Sequence, residues 1–160
     1  MFEHSKSAEL LEASIRIEDN GQAFYREVAQ KLKDPKVSEL FEYLAAEETR
    51  HMGIFSEMLQ KNGNYEPMDK CYPGEYHAFL KTFSDNHVFN KLNAGRSLAA
   101  RMNSPDEILN FAMRIELEFT FFYMEVRHHV HKPHAEIISR LFVEEQSHYL
   151  KLIQLQTAIG

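Results

Sequence analysis

The sequence predicts an all-α domain, a four-helix bundle built from two helical hairpins joined by a long crossover. Three observations carry this expectation. Gly and Pro are sparse, at 6 and 5 of 160 residues, while Glu, Leu and Ala, which lose little rotamer freedom in a helix, are plentiful. Four long segments repeat apolar residues at helical spacing. Those four segments also carry one pattern written twice, about one hundred residues apart. The first copy reads Arg16-Ile17-Glu18, Phe24-Tyr25, Asp34-Pro35 and Glu47-Glu48-Thr49-Arg50-His51. The second reads Arg114-Ile115-Glu116, Phe122-Tyr123, Lys132-Pro133 and Glu144-Glu145-Gln146-Ser147-His148.

Each element has its own signals. The first segment runs from about Ser7 to Lys33 and stops at Asp34-Pro35. Asp34 suits the N-cap of the second segment, and Pro35 its first position, where a missing N–H removes no hydrogen bond. The second continues to about Lys61 and meets Asn62-Gly63-Asn64, with Gly63 suited to a left-handed cap. The third opens at Ser104-Pro105-Asp106-Glu107, which has the form of a capping box with Pro at N1, and runs to the stretch His128–Lys132. The fourth starts at Pro133 and reaches nearly to the C-terminus. Residues 63–103 show no single period; short helices are expected at Tyr76–Thr82 and Ala94–Met102. Short turns within pairs and a long link between them give hairpins over about 7–62 and 104–157 in a single domain, 1–160.

Composition excludes several classes of function. The net charge of −6 argues against a nucleic-acid partner, which needs a basic face. A lone cysteine, Cys71, excludes an internal disulfide and a Cys-x-x-Cys metal site, and it fits a reducing compartment. The segment Met1–Lys6 lacks the apolar stretch of a signal peptide, and no apolar run approaches the roughly 18 residues that span a bilayer. A cytoplasmic protein with no membrane partner is expected.

The repeat supplies one lone Glu and one Glu-x-x-His per copy, together four carboxylates and two imidazoles. Glu18 lies 16 residues before Asp34 and Glu48 lies 14 after it; Glu116 lies 16 before Lys132 and Glu145 lies 13 after. At about 1.5 Å per residue, each pair of glutamates falls at nearly one height on antiparallel neighbours. Positions three apart share a helix face, so Glu48 converges with His51 and Glu145 with His148. All six can meet in one layer. They also interrupt the stripes that should be driest, Leu11-Glu18-Tyr25-Leu32, Leu40-Leu44-Glu48-His51-Phe55-Met58, Leu109-Glu116-Tyr123-Val130 and Ile138-Leu141-Glu145-His148-Leu152. Buried carboxylates each cost several kcal/mol when unpaired, so four together threaten a domain stable by about 5–15 kcal/mol. Two divalent cations cancel four negative charges. This is the ligand set that holds two metals inside a four-helix bundle, and hard carboxylates with one imidazole per metal suit iron or manganese better than a thiolate-loving ion, though zinc would also bind.

Other polar groups carry less weight. A third Glu-x-x-His, Glu125-Val126-Arg127-His128, ends the third segment off the repeat and is read as coincidence. His128, His129, His131 and His134 crowd the last turn and are read as solvated rather than as a surface metal site. Tyr72, Tyr76, Phe79, Phe83 and Phe89 in the crossover read as aromatic cover for the bundle, and Lys31–Lys33 and Glu42–Glu47 as exposed faces. Gly21 on the first helix and Phe119 on the third lie three residues beyond Glu18 and Glu116. Gly leaves space and Phe fills it, so small molecules are expected to approach from the first-helix side.

The pattern resembles the ferritin-like superfamily of carboxylate-bridged di-iron proteins, and most closely its rubrerythrin-like branch, in which Glu-x5-Phe-Tyr is typical. The resemblance covers nearly the whole chain. It implies Glu18, Glu48, His51, Glu116, Glu145 and His148 as metal ligands, with Glu48 and Glu145 bridging. It also implies Tyr25 and Tyr123 as tyrosines that hydrogen-bond ligand carboxylates. Rubrerythrins proper carry an extra glutamate ligand where this chain has Phe119, and a rubredoxin domain with a Cys-x-x-Cys iron site that this sequence does not contain. Reduction of peroxide or dioxygen is therefore expected to need an external electron donor such as a rubredoxin-type protein, in a role in oxidative-stress defence. A homodimer is expected. Ferritin-like iron oxidation and storage, and a metal-free helical interaction module, are the alternatives.

Overall fold

The computed structural model describes residues 2–61, 78, 82, 83 and 85–160. Five α-helices are present among them: α1 Phe2–Lys31, α2 Pro35–Lys61, α3 Ala94–Arg101, α4 Pro105–Val126 and α5 Lys132–Ile159. Helix α1 packs along α2 and α4 along α5, the two expected hairpins, and α3 lies on α1. Among the described residues, no helix is long and apolar enough to cross a membrane.

The boundaries follow the local chemistry with two differences. Helix α1 begins at Phe2, five residues ahead of the expected start. Asp34 Oδ1 accepts from the Lys36 N–H at 2.9 Å, as an N-cap should. The capping box expected at Ser104 does not form, because its side chain makes no cap hydrogen bond. There the Ser104 carbonyl accepts from Ile108 N at 3.0 Å, Pro105 offers no N–H, and Asp106 and Glu107 complement the helix dipole. Helix α4 ends in a 3-10 turn at Arg127–His129. Gly63, Cys71, Tyr72, Tyr76 and Phe79 lie outside the described residues; of the short helix expected at Tyr76–Thr82, Ala78 and Thr82 are described and both are helical.

The crossover is clamped onto α1 by polar contacts. Asn20 Nδ2 donates to the carbonyls of Phe89 and Lys91, and Asn20 Oδ1 accepts from Gly95 N at 3.0 Å. Gly95 is required there, since a Cβ would stand 1.9 Å from the Asn20 carbonyl oxygen. Lys31 Nζ donates to the carbonyls of Ala99 and Met102 at 2.6 Å each, closing the C-terminal end of α3. Lys31 therefore holds the crossover and is not merely part of an exposed face. Phe89 is fully buried and Phe83 packs on the core, as cover for the bundle.

Candidate metal centre

The four long helices bring all six expected residues into the core. Glu18, Glu48, His51, Glu116 and Glu145 have no exposed surface and His148 keeps 1 %. Leu11 and Tyr25 on α1, Leu44 and Phe55 on α2, Leu109 and Tyr123 on α4, and Leu141 and Leu152 on α5 wall the layer above and below, all buried. Two overlapping groups result, each with one ligand atom per residue and all such atoms within 4.8 Å of one another. The first is Glu18, Glu48, His51 and Glu145; the second is Glu48, Glu116, Glu145 and His148. Glu48 and Glu145 belong to both. Both imidazoles turn Nδ1 inward: His51 Nδ1 lies 2.8 Å from Glu145 Oε1, and His148 Nδ1 lies 3.0 Å from Glu145 Oε2. The rings stack with centroids 5.8 Å apart.

Each tyrosine reaches the glutamate of the other repeat copy. Tyr25 OH donates to Glu116 Oε1 at 2.6 Å, and Tyr123 OH donates to Glu18 Oε1. One oxygen of each of these carboxylates is thereby fixed.

The titration behaviour reflects four acids enclosed with two bases. Burial, then Glu145 and Glu18, pushes Glu48 up; burial and Glu145 do the same to Glu116. Glu145 goes the other way, because His51 and His148 outweigh its burial. Burial disfavours the imidazolium of His51, yet Glu145 and Glu18 reverse this and hold it well above the ordinary histidine range. His148 is raised likewise against its burial, by the facing carboxylates of Glu116, Glu145 and Glu48. Burial first, and the adjacent carboxylates second, keep both tyrosine hydroxyls protonated and donating.

A rubrerythrin family profile matches residues 9–156. The chain belongs to the rubrerythrin family. Its fold is also similar to the crystal structure of a Thermotoga maritima protein described as ferritin-like diiron-carboxylate, with a TM-score of 0.69 over 96 % of both chains at 19 % identity. At that identity the likeness concerns the fold.

The residues present fit the di-iron group of the rubrerythrin family. Glu18 Oε2, Glu116 Oε2, Glu145 Oε1 and both oxygens of Glu48 are buried without a hydrogen-bond donor among the described residues. Orphaned carboxylate oxygens at this density are costly unless a cation takes them. The tied oxygens of Glu18 and Glu116 leave one free oxygen each, one for either metal position, while Glu48 and Glu145 face both.

Sequence reasoning missed a second ring of charge. Glu47 and Glu144, one residue before each shared glutamate, face the outer nitrogens of the imidazoles across the hairpin interface. His51 Nε2 lies 2.8 Å from Glu144 Oε2, and His148 Nε2 lies 3.8 Å from Glu47 Oε2. Arg50 joins both carboxylates, at 2.9 Å to Glu47 and in closer contact with Glu144, and its hydrogen bond holds Glu47 below the ordinary carboxylate range. Glu47 is thus no ordinary surface residue. The signal was in the repeat itself, which doubles the glutamate in both copies.

The open space expected at Gly21 on the α1 side is absent. Gly21 is buried, and a Cβ there would meet Phe119 Cζ at 3.3 Å and Glu48 Cγ at 3.6 Å. The space that Gly21 leaves is taken by the Phe119 ring, which reaches across from α4. Behind Phe119 stands His87, also missed in the sequence; it is 3 % exposed and stacks on the ring with centroids 5.7 Å apart. Its Nδ1 accepts from Phe89 N at 3.1 Å, and its Nε2 lies 3.3 Å from Glu118. Burial and the Arg114 charge push His87 down to about 4. Among the described residues, Glu125, His128, His129, His131 and His134 join no group of converging ligand atoms.

Proposed function

We propose that this chain is a di-iron oxidoreductase that reduces peroxide or dioxygen to water with electrons from a separate donor protein, in defence against oxidative stress. The observation that carries the reading is the pair of four-residue groups that share Glu48 and Glu145. Glu18 and His51 would hold one iron, Glu116 and His148 the other, and Glu48 with Glu145 would bridge them. Two ferrous ions supply one electron each, which together with two protons convert one peroxide to two waters. The protein's own part is positional and electrostatic. Tyr123 and Tyr25 hold the terminal carboxylates in place, and the apolar walls exclude water. Phe119 stands where a further carboxylate ligand would lie in rubrerythrins proper, so slow turnover with peroxide is part of the proposal. So is a homodimer, for which exposed Leu117, Phe121, Val143 and Leu150 offer apolar surface.

The test is anaerobic loading with ferrous iron, followed by stopped-flow mixing with peroxide and by sizing in solution. Oxidation of two irons per peroxide, re-reduction by an added donor and a particle of one or two chains support the reading. Iron accumulation beyond two per chain in a large cage would replace it with storage. A chain that takes up no iron would replace it with a metal-free helical module.

A further inference from the structure

The two copies of the repeat differ where it matters to their imidazoles, because Arg50 stands where the second copy has Ser147. Both rings turn Nδ1 toward the central carboxylates, so Nε2 is the outer nitrogen in each. The outer nitrogen of His51 has a carboxylate acceptor, Glu144 Oε2 at 2.8 Å, and Arg50 Nη2 donates to the same oxygen. The outer nitrogen of His148 faces Glu47 at 3.8 Å, beyond hydrogen-bond range, and Glu47 pairs with Arg50 at 2.9 Å.

We propose that Glu144 is a positioning residue for one metal position only, so that the ion beside His51 is bound more tightly and the ion beside His148 is the exchangeable one. The inference rests on the di-metal reading above. A carboxylate on the outer N–H holds the ring in place and makes Nδ1 a better donor to an arriving ion. His51 is oriented in this way. The His148 ring lacks that hold and must be oriented when the ion arrives, and that ordering reduces its affinity. The difference between 2.8 Å and 3.8 Å at the outer nitrogens thus makes two unequal sites of a two-fold repeat.

The experiment is stepwise titration of the metal-free full chain with zinc(II) against a chromophoric chelator, for the native protein and for Glu144→Gln and Glu47→Gln. Glu144 and Glu47 are both partly exposed, at 36 % and 22 % of their side chains, so neither exchange disturbs the core. Two constants separated by about tenfold or more are expected in the native chain. Glu144→Gln should weaken the tighter one by about 10–100-fold and leave the weaker one unchanged, while Glu47→Gln should change neither. Nitrogen-15 NMR of the zinc-loaded chain gives a second readout. The Nε2–H of His51 should be slow to exchange with solvent and that of His148 fast, with the difference lost in Glu144→Gln. Two equal constants, or equal effects of the two substitutions, would overturn the inference while leaving the di-metal reading intact. A native chain that binds no zinc would overturn both.

Discussion

Tyr25 on α1 donates its hydroxyl to Glu116 on α4 at 2.6 Å, so a side chain of one repeat copy positions the ligand carboxylate of the other. Tyr123 returns the contact to Glu18. The exchange ties the two hairpins together at the layer where their charges are buried, and it pairs each tyrosine with the central glutamate of the other copy.

Removing either hydroxyl should therefore act across the bundle. Tyr123→Phe is expected to weaken the metal position of Glu18 and His51, and Tyr25→Phe that of Glu116 and His148, each by about tenfold. In the metal-free chain each exchange strands a buried carboxylate oxygen and should lower stability by about 1–3 kcal/mol. Urea unfolding of the metal-free proteins and zinc titration of the loaded ones check the two halves separately.

Phe119 is expected to act as a plug in the space beside Gly21. Phe119→Ala should cost about 3–5 kcal/mol through the cavity it leaves, and it should speed oxidation of the ferrous centre by peroxide. Stopped-flow traces read the rate; no change in rate would mean that small molecules reach the metals by another route.

The glycines form a graded series. A Cβ at Gly53 meets nothing within 4 Å, so Gly53→Ala should stabilise α2 by about 1 kcal/mol. At Gly21 the same gain is offset by the 3.3 Å approach to the Phe119 ring, and the net effect should be near zero. Gly95→Ala should destabilise by about 1–3 kcal/mol, because a Cβ at 1.9 Å from the Asn20 carbonyl separates α3 from α1. Thermal melts of the three variants order them.

His87 should make stability pH-dependent. Its folded value lies near 4, below about 6.5 in the unfolded chain. Between those values the unfolded state binds the proton more readily, so stability falls as pH drops below 6.5 and the loss is complete near 4. The loss at pH 5 is about 2 kcal/mol. His87→Gln keeps an acceptor for Phe89 N but cannot titrate. Comparison of urea unfolding at pH 7 and pH 5 should show a shallower loss in the variant than in the native chain.

The sequence made the helices and the six central residues legible because charged groups on an apolar stripe have no other physical reason to be there. Glu18 and Glu116 fall on the same stripes as Leu11 and Leu109, and helical spacing is sufficient to see it. Glu47 and Glu144 were not legible. They sit one position off the core stripe, at the edge of the buried face, and only the packing of one hairpin on the other decides which imidazole they reach. Phe119 was misjudged for a related reason. Face arithmetic gives the direction of a side chain on its own helix, but not how deeply the opposite helix lets it enter. Asn20 meets Gly95, and Lys31 meets Ala99, across some seventy residues of chain, and both partners lie in the stretch 63–103 that shows no period, so the clamp is visible only in three dimensions. His87 lies in that same stretch.

The central claim is that these six side chains hold two metal ions, and metal content tests it most directly. The chain is loaded anaerobically with ferrous iron, desalted and assayed for iron per protein, beside the double variant Glu48→Gln with Glu145→Gln. Two ions per native chain, a melting temperature that drops on chelation, and loss of both ions in the variant are the expected results. A native chain with no bound iron, or a double variant that still holds two, would contradict it.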